Sequence, residues 1–139
     1  GDKIMGACKA MGYQGIVIDG YTRDRSGNIE LGFPVFSRGL TPAGPVKKNP
    51  GKINESIYCG GILVNPGDLV CGDENGVCVV PRSSIAEVLV EAEKKKAYEE
   101  KRDLVIAEYA AKKKSGEPLP QLAPQWVLDM LDQKQEKAR

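Results

Sequence analysis

IYCGGILVNPGDLVCGDENGVCVVP, residues 57–81, is the stretch that decides the fold. Short apolar runs in this stretch alternate with the polar segments Asn65-Pro66-Gly67-Asp68 and Asp73-Glu74-Asn75-Gly76. Pro-Gly and Asn-Gly pairs supply the pre-set φ and the positive φ that tight turns require. The stretch therefore predicts a compact β unit of short strands separated by turns.

On the N-terminal side of this unit, the apolar spacing predicts a helix over residues 2–11, with Gly12 as its C-terminal stop. Residues 15–19 are apolar as far as Ile18, which predicts a buried strand that ends in a polar loop over residues 20–28. A further strand is expected at residues 33–36, where Pro34 confines it to a sheet edge or a strand start. Residues 39–54 are rich in Gly and Pro and are expected to form a long surface loop.

On the C-terminal side, Ser84 and Glu87 form a capping box at the start of a long helix that we expect to run past residue 110. A Pro-containing connector follows, and then a short helix over residues 125–135. We therefore predict one main domain over residues 1–114, with the connector and the last helix over residues 115–139.

The composition excludes several classes of function. The chain has 139 residues, of which 41% are hydrophobic and 28% charged, as is typical of one globular domain. A net charge of +1 and an aromatic content of 6% do not suggest a nucleic-acid partner. We find no apolar run of membrane-spanning length and no signal peptide, so we expect a cytoplasmic protein without a membrane partner. The four cysteines form no C-x-x-C pair, which favours reduced thiols over a zinc site or disulfides.

The chain contains no histidine, which removes every mechanism that depends on an imidazole base or an imidazole metal ligand. Carboxylates, lysines, arginines and backbone amides remain. A site built from oxygen ligands selects hard cations, so we expect any bound metal to be Mg²⁺ or Mn²⁺.

Two short segments are candidates for a site. Gly1-Asp2-Lys3-Ile4 lies where a loop turns into a helix, and the first N–H groups of a helix can hold a carboxylate or a phosphate. Arg23-Asp24 follows the buried strand, which is a usual position for ligand contacts in α/β proteins. Taken singly, Asp2 would be an ordinary helix cap, and Arg23-Asp24 would be a surface ion pair.

Taken together, the two segments and the distance between them along the chain indicate one particular family. Twenty residues separate Asp2 from Arg23-Asp24, and this arrangement resembles the D-x20-R-D signature of the RraA-like family, which includes the 4-hydroxy-4-methyl-2-oxoglutarate aldolases. Further segments within residues 15–20, 32–36 and 60–81 are similar to recurring segments of that family, in the same order. The resemblance implies an α/β fold, a swivelling β/β/α sandwich like that of phosphohistidine domains, with a long C-terminal helix. Family members carry a further N-terminal part, which we expect to be missing here or to be supplied by another chain.

Carried over to this sequence, the resemblance implies that the backbone from Gly1 to Ile4 holds the pyruvoyl carboxylate of the substrate and that Arg23 pairs with the same carboxylate. Asp24 would ligate the divalent cation, Mg²⁺ or Mn²⁺, and Asp2 would hold a water molecule beside it.

Family members also assemble, and the resemblance implies a homotrimer or homohexamer with active sites between subunits. An acidic residue of the long helix, Glu99 or Glu100, would reach the site of the neighbouring subunit.

The implied activity is that of a metal-dependent lyase, which cleaves a carbon-carbon bond of a small 2-oxo dicarboxylic acid to give pyruvate. The substrate would be 4-hydroxy-4-methyl-2-oxoglutarate in an aldolase reaction, or oxaloacetate in a decarboxylation. Both reactions leave the enolate of pyruvate, whose charge a Lewis acid and an arginine can stabilise. A Schiff base on Lys3 is the competing chemistry, but nothing in the sequence indicates a desolvated lysine.

Two alternatives stay open beside the lyase. The family also contains a non-enzymatic regulator that inhibits a ribonuclease, but regulators lack the aspartate that this chain keeps at Asp24. Demethylmenaquinone methyltransferase is a third label for such sequences, and we find no glycine-rich nucleotide loop that would support it. One position departs from the family pattern. Gly27 stands where aldolases of the family carry Asp or Glu, and this difference bears on which substrate is used.

Overall fold

The structure is a computed structural model that describes residues 1–46, 48 and 50–137. In chain order its elements are α1 (Asp2–Ala10), β1 (Ile16–Thr22), α2 (Arg25–Glu30), β2 (Val35–Leu40), β3 (Ile57–Cys59), β4 (Ile62–Val64), β5 (Leu69–Asp73), β6 (Gly76–Val80), a 3-10 turn (Arg82–Ser84), α3 (Ile85–Ser115) and α4 (Gln125–Lys137). The predicted α/β class with a long C-terminal helix is confirmed. No helix within these ranges is both long enough and apolar enough to cross a bilayer.

The chain divides into two compact units, the first from Gly1 to Ile85 and the second from Ala86 onward. The first contains α1, α2 and the six strands, and the second contains nearly all of α3 together with α4. Within the second unit, Arg102 Nη2 donates a hydrogen bond of 2.7 Å to the Leu122 carbonyl, which ties α3 to the connector before α4. The domain limit at residue 114 stays a prediction.

The six strands pair two by two. β1 and β2 are parallel, whereas β3–β4 and β5–β6 are antiparallel pairs, as expected for the short strands of residues 57–81. Gly60 and Gly61 form the two-residue turn between β3 and β4, with φ of +63° and +82°. These values are those of a type I′ hairpin turn, which needs positive φ at both central positions and so explains two successive glycines.

Side chains of the parallel pair link it to both hairpins. The Asp19 carboxylate on β1 pairs with the Arg38 guanidinium on β2 and accepts a 3.0 Å hydrogen bond from the Gly60 N–H. Both contacts favour the charged carboxylate, so the Arg38 guanidinium and then the Gly60 N–H hold the pKa of Asp19 below its ordinary value. The Phe36 ring lies over Gly72 of β5, where an added Cβ would be only 2.6 Å from Phe36 Cζ. β2 can therefore approach β5 this closely because residue 72 has no side chain.

Two apolar side chains are buried among the described residues, Met5 of α1 and Phe33 before β2, which are 2% and 5% exposed. α1 packs on α2, and at its N-terminal end Asp2 lies against Gly27 of α2. A hydrogen bond from Lys9 Nζ to the Leu31 carbonyl connects the other ends of these two helices. The packing of α1 on α2 therefore places Gly1 and Asp2 next to the residues that follow β1.

The prediction of a loop over residues 20–28 is wrong, because a strand and a helix occupy most of this segment. β1 continues to Thr22, and α2 begins at Arg25. Arg23 and Asp24 make the connection, and Asp24 adopts a left-handed conformation, with φ 61° and ψ 44°, in which its carbonyl accepts the Asn28 N–H at 3.0 Å. Gly27 weakens the intrinsic helix propensity of this segment, so packing against α1 overrides the local signal.

Acid should lower the stability of this fold, because aspartate carboxylates accept hydrogen bonds from backbone N–H groups at its turns. The Asp68 carboxylate accepts hydrogen bonds from the backbone N–H groups of Asn65 at 2.8 Å and Arg82 at 2.9 Å. These bonds lower the pKa of Asp68, as the bonds from Arg38 and Gly60 lower the pKa of Asp19. A carboxylate with a lowered folded-state pKa stabilises the fold above its unfolded pKa, and this contribution is lost as pH falls through the folded value. We expect the free energy of unfolding, measured in urea, to fall between about pH 5 and pH 3, and Asp68→Asn to flatten that decline.

The matched control is Glu74→Gln, since Glu74 is exposed and its side chain makes no hydrogen bond with the part of the chain that the structure describes. Equal acid sensitivity in the wild type and the Asp68→Asn variant would contradict the assignment.

Candidate active site

The structure brings the two candidate segments into contact. Arg23 Nε lies 3.2 Å from Asp24 Oδ2, and the two side chains are about half exposed, at 46% and 39%. A Cβ added at Gly1 would overlap Asp24 Oδ2 and would lie 3.2 Å from Arg23 Nε. The Asp24 carboxylate therefore sits against the backbone at the start of α1, in space that exists because residue 1 has no side chain.

Local structure explains this convergence. Gly1 is the N-cap of α1, and Asp24 is the N-cap of α2. The Asp24 side chain makes no capping hydrogen bond to its own helix, which leaves its oxygens available. The left-handed turn at Asp24 directs the carboxylate towards Gly1.

The first amides of α1 are partly open to an anion. The Ile4 N–H is already engaged, because it donates to the Gly1 carbonyl at 3.1 Å. The N–H groups of Asp2 and Lys3 are the first two of the helix and have no intrahelical acceptor. Of the predicted substrate-binding backbone, these two amides are thus the ones free to hold a carboxylate.

Lys3 lies in an ordinary solvated environment. Its side chain is 95% exposed, and Nζ lies 3.7 Å from Asp2 Oδ2. A Schiff-base lysine is activated by desolvation or by a neighbouring cation, and Lys3 has a carboxylate as its neighbour. Its surroundings therefore do not favour the Schiff-base alternative.

Gly27 faces Asp2 directly. A Cβ added at Gly27 would lie 3.0 Å from Asp2 Cβ and 3.1 Å from its Oδ2. An acidic residue at this position would place a second carboxylate beside Asp2. The departure from the aldolase pattern therefore changes the charge and the free space at the site itself.

A cleft opens beside the Arg23-Asp24 pair. It has a volume of about 470 Å³ and is lined by Arg23, Asp24, Arg25, Leu40, Thr41 and Pro42. Small-molecule sites commonly have volumes of this order. The cleft is large enough for a small dicarboxylic acid next to the ion pair.

Asn28 is the residue of this region that sequence reasoning missed. Its side chain is 7% exposed, and Nδ2 donates a 3.1 Å hydrogen bond to the Arg23 carbonyl. The segment was expected to be a loop, in which a polar residue carries no burial signal. Only the register of α2 shows that residue 28 points inward.

The remaining predicted residues, Glu99 and Glu100, lie on α3 in the second unit. Both are exposed and face lysines one turn earlier, with distances of 3.5 Å from Lys95 to Glu99 and 4.0 Å from Lys96 to Glu100. Their contact with a neighbouring subunit stays a prediction.

A divalent cation fits the ligands that this site offers. Within the described ranges, no group of three or more His, Cys, Asp or Glu side chains could hold a metal ion. Mg²⁺, however, is commonly held by one or two carboxylates and keeps water or substrate oxygens as its other ligands. The Asp24 carboxylate, which makes no capping hydrogen bond and lies against Gly1, is a ligand of that kind.

Filling the space at Gly1 should disrupt this arrangement. In Gly1→Ala the new Cβ would displace the Asp24 carboxylate, and we expect Mn²⁺ to bind on the order of 10- to 100-fold more weakly, as for other disturbed metal surroundings. The electron paramagnetic resonance signal of free Mn²⁺ measures this affinity. Gly44→Ala is the matched control, since a Cβ there would make an ordinary contact of 3.6 Å with Arg23 Nη1. Unchanged Mn²⁺ affinity in Gly1→Ala would show that the cation lies elsewhere.

Comparison with known proteins supports the resemblance seen in the sequence. The model of the RraA-like family, described as Aldolase/RraA, matches residues 1–79. A protein of Halalkalibacterium halodurans, provisionally named a 4-hydroxy-4-methyl-2-oxoglutarate aldolase, is 43% identical over 108 residues, which are 78% of this chain and 51% of that protein. An uncharacterised protein of Methanocaldococcus jannaschii is 40% identical over 93 residues, which are 67% of this chain and 45% of that protein.

Solved structures show the same fold. RraAS2 of Streptomyces coelicolor, described as an unusual member of the RNase ES inhibitor RraA family, superposes with a TM-score of 0.67 and 34% identity over 74% of this chain and 53% of that one. An uncharacterised protein of Pseudomonas syringae gives a TM-score of 0.69 and 33% identity over 77% of this chain and 51% of that one. The chain thus spans about half the length of the relatives that it matches.

Proposed function

This chain belongs to the RraA-like family, and from that premise we propose that it is a divalent-metal-dependent lyase that cleaves a carbon-carbon bond of a 2-oxo dicarboxylic acid to give pyruvate. The proposed substrates are 4-hydroxy-4-methyl-2-oxoglutarate and oxaloacetate. One observation carries the proposal, namely the contact of the Arg23-Asp24 pair with the open start of α1. Several relatives provisionally named as aldolases support the same reaction class.

Asp24, with Asp2 nearby, would hold Mg²⁺ or Mn²⁺. When bound, the cation supplies Lewis-acid stabilisation of negative charge on the 2-oxo group.

The protein's own groups bind and orient the substrate. The free amides of Asp2 and Lys3 hold its carboxylate at the positive end of α1. The Arg23 guanidinium faces the negative charge that develops on the 2-oxo oxygen as the carbon-carbon bond breaks. Because this charge is largest in the transition state, the contribution of Arg23 is to rate more than to binding.

The two substrates differ in their need for a base. Aldol cleavage requires removal of the 4-hydroxyl proton, which a water molecule held by Asp2 would accept. Decarboxylation releases CO₂ without a base, and only the resulting carbanion is protonated. Since Gly27 provides no carboxylate beside Asp2, we propose oxaloacetate decarboxylation as the activity that depends less on the missing acid.

A second candidate is a regulator that binds a ribonuclease without catalysis, favoured by the likeness to the described RNase ES inhibitor family. We rank it second because it assigns no role to the Asp24 carboxylate at the start of α1. A homotrimer or homohexamer with sites between subunits, to which Glu99 or Glu100 contributes, is part of the lyase proposal.

Pyruvate release from each substrate tests the lyase proposal. The purified chain is assayed with Mg²⁺, with Mn²⁺ and with EDTA, and we expect turnover in the first two conditions only. Turnover that persists in EDTA would overturn the metal-dependent mechanism. Inhibition of a ribonuclease, without pyruvate release from either substrate, would favour the regulator.

A further inference from the structure

We propose that Asn28 is a positioning residue that holds the Arg23-Asp24 turn, so that the Asp24 carboxylate stays against Gly1 and available to a divalent cation. The inference rests on the proposed function for the identity of the ligand, and on the structure for the contacts themselves.

Asn28 holds two successive carbonyls of the turn. Its side-chain Nδ2 donates to the Arg23 carbonyl at 3.1 Å, and its backbone N–H donates to the Asp24 carbonyl at 3.0 Å. One residue of α2 therefore fixes the peptide units on both sides of Asp24. The side chain is 7% exposed, so water competes little for the first of these bonds.

The turn that is held in this way is intrinsically unfavourable. Asp24 has φ 61° and ψ 44°, a left-handed conformation that residues with a Cβ rarely adopt. Such conformations persist when the surroundings over-determine them. The Asp24 side chain makes no capping hydrogen bond that would hold the turn from within. The side-chain bond from Asn28 is thus an external restraint on the conformation that directs Asp24 towards Gly1.

Stability alone does not explain an amide at this position. Asn28 Oδ1 is buried and has no hydrogen-bond partner among the described residues. A buried acceptor without a donor destabilises a fold, and a leucine of similar size would avoid that penalty. The group at residue 28 that makes a contact is therefore the Nδ2 donor, and its only partner among the described residues is the Arg23 carbonyl.

The decisive variant is Asn28→Leu, which removes the donor and the unpartnered acceptor together. We expect the thermal midpoint of the metal-free protein to stay close to that of the wild type, because removal of the unpartnered Oδ1 offsets the loss of the bond to the Arg23 carbonyl. The dissociation constant for Mn²⁺, from electron paramagnetic resonance, should nevertheless rise by about tenfold or more. A purely structural side chain would move the midpoint and the affinity together. Asn28→Ala, which also lacks the donor but cannot clash, should show the same loss of affinity.

Thr22→Val is the matched control. Thr22 is 8% exposed, immediately precedes Arg23 and has a buried Oγ1 without a partner in the described structure. Because its hydroxyl restrains nothing, its removal should leave the Mn²⁺ affinity unchanged.

A metal-free measurement separates this inference from the proposed function. Backbone chemical shifts and the amide-to-α coupling of Asp24 report its φ, and we expect the left-handed value in the wild type and its loss in Asn28→Leu. Retention of the left-handed value in Asn28→Leu, or Mn²⁺ affinity equal to that of the wild type, would overturn the positioning role. A wild-type chain that binds no Mn²⁺ would overturn the metal site of the proposed function, while the conformation of Asp24 would still decide the role of Asn28.

Discussion

Replacing Asp24 with asparagine should abolish metal-dependent pyruvate release, with kcat/KM falling by about three orders of magnitude, or ~4 kcal/mol. Asparagine tests the charge more cleanly than alanine does, because asparagine tolerates the left-handed conformation that Asp24 adopts at φ 61°. The backbone of the turn is therefore kept, and only the negative charge is lost. Steady-state kinetics over a range of substrate concentrations and a titration with Mn²⁺ measure the loss of kcat/KM and the loss of Mn²⁺ affinity separately.

Alanine at the same position should add a second effect. Asp24→Ala would lose the charge and would also strain the left-handed turn by roughly 1–2 kcal/mol. Asn54→Ala is the control for that strain, because Asn54 is the other described non-glycine residue with positive φ, at 56°. We expect Asn54→Ala to lower stability while activity is retained. Full activity in Asp24→Asn would place the cation at another residue.

The β unit was predictable because its signals are local. Each turn within residues 57–81 contains a proline, an asparagine or a glycine whose allowed φ specifies the chain reversal, and the observed strands lie between those turns. Gly67 shows this most directly, since it takes the positive φ, +92°, that the Pro66-Gly67 pair predicts. Local chemistry decides such elements, so the sequence alone predicts them.

α2 was not predictable in the same way, because its stability is tertiary. Six residues with a glycine at their centre, Arg25–Glu30, form no stable helix in isolation. Its start depends on the turn at Asp24, and it packs on α1, which follows Gly1. The position of α1 cannot be known from the sequence alone, so the sequence predicts a loop for this segment.

The candidate site was predicted through a spacing rather than through its geometry. The twenty residues between Asp2 and Arg23 resemble a family signature, but they do not explain why the two segments meet. The structure supplies the physical reason, since α1 packs on α2 while a left-handed Asp24 turns the chain back towards Gly1. The inward side chain of Asn28 carries no signal until the register of α2 is known.

Arg23→Ala should lower kcat by about 10²- to 10³-fold while Mn²⁺ affinity is kept or slightly improved. A guanidinium at ~4 Å from a developing negative charge contributes about 4 kcal/mol at an effective dielectric constant near 20, and the 46% exposure of Arg23 reduces that figure. The affinity behaves oppositely because Arg23 Nε lies 3.2 Å from Asp24 Oδ2, where a positive charge competes with the cation for the same oxygen. Measuring kcat and the Mn²⁺ dissociation constant on the same preparation tests both directions at once.

Two further variants separate charge from geometry at Arg23. Arg23→Lys keeps the positive charge but loses the planar fork of the guanidinium, so we expect an intermediate rate. Arg82→Ala removes the same charge from a side chain that packs against the turn at Gly67, and it should leave kcat within about threefold of the wild type, as expected for a charge screened from the site. A loss of Mn²⁺ affinity in Arg23→Ala as large as that in Asp24→Asn would mean that Arg23 organises the cation site. An unchanged kcat would instead remove Arg23 from the reaction, and the charge on the 2-oxo oxygen would then depend on the cation and the amides of α1.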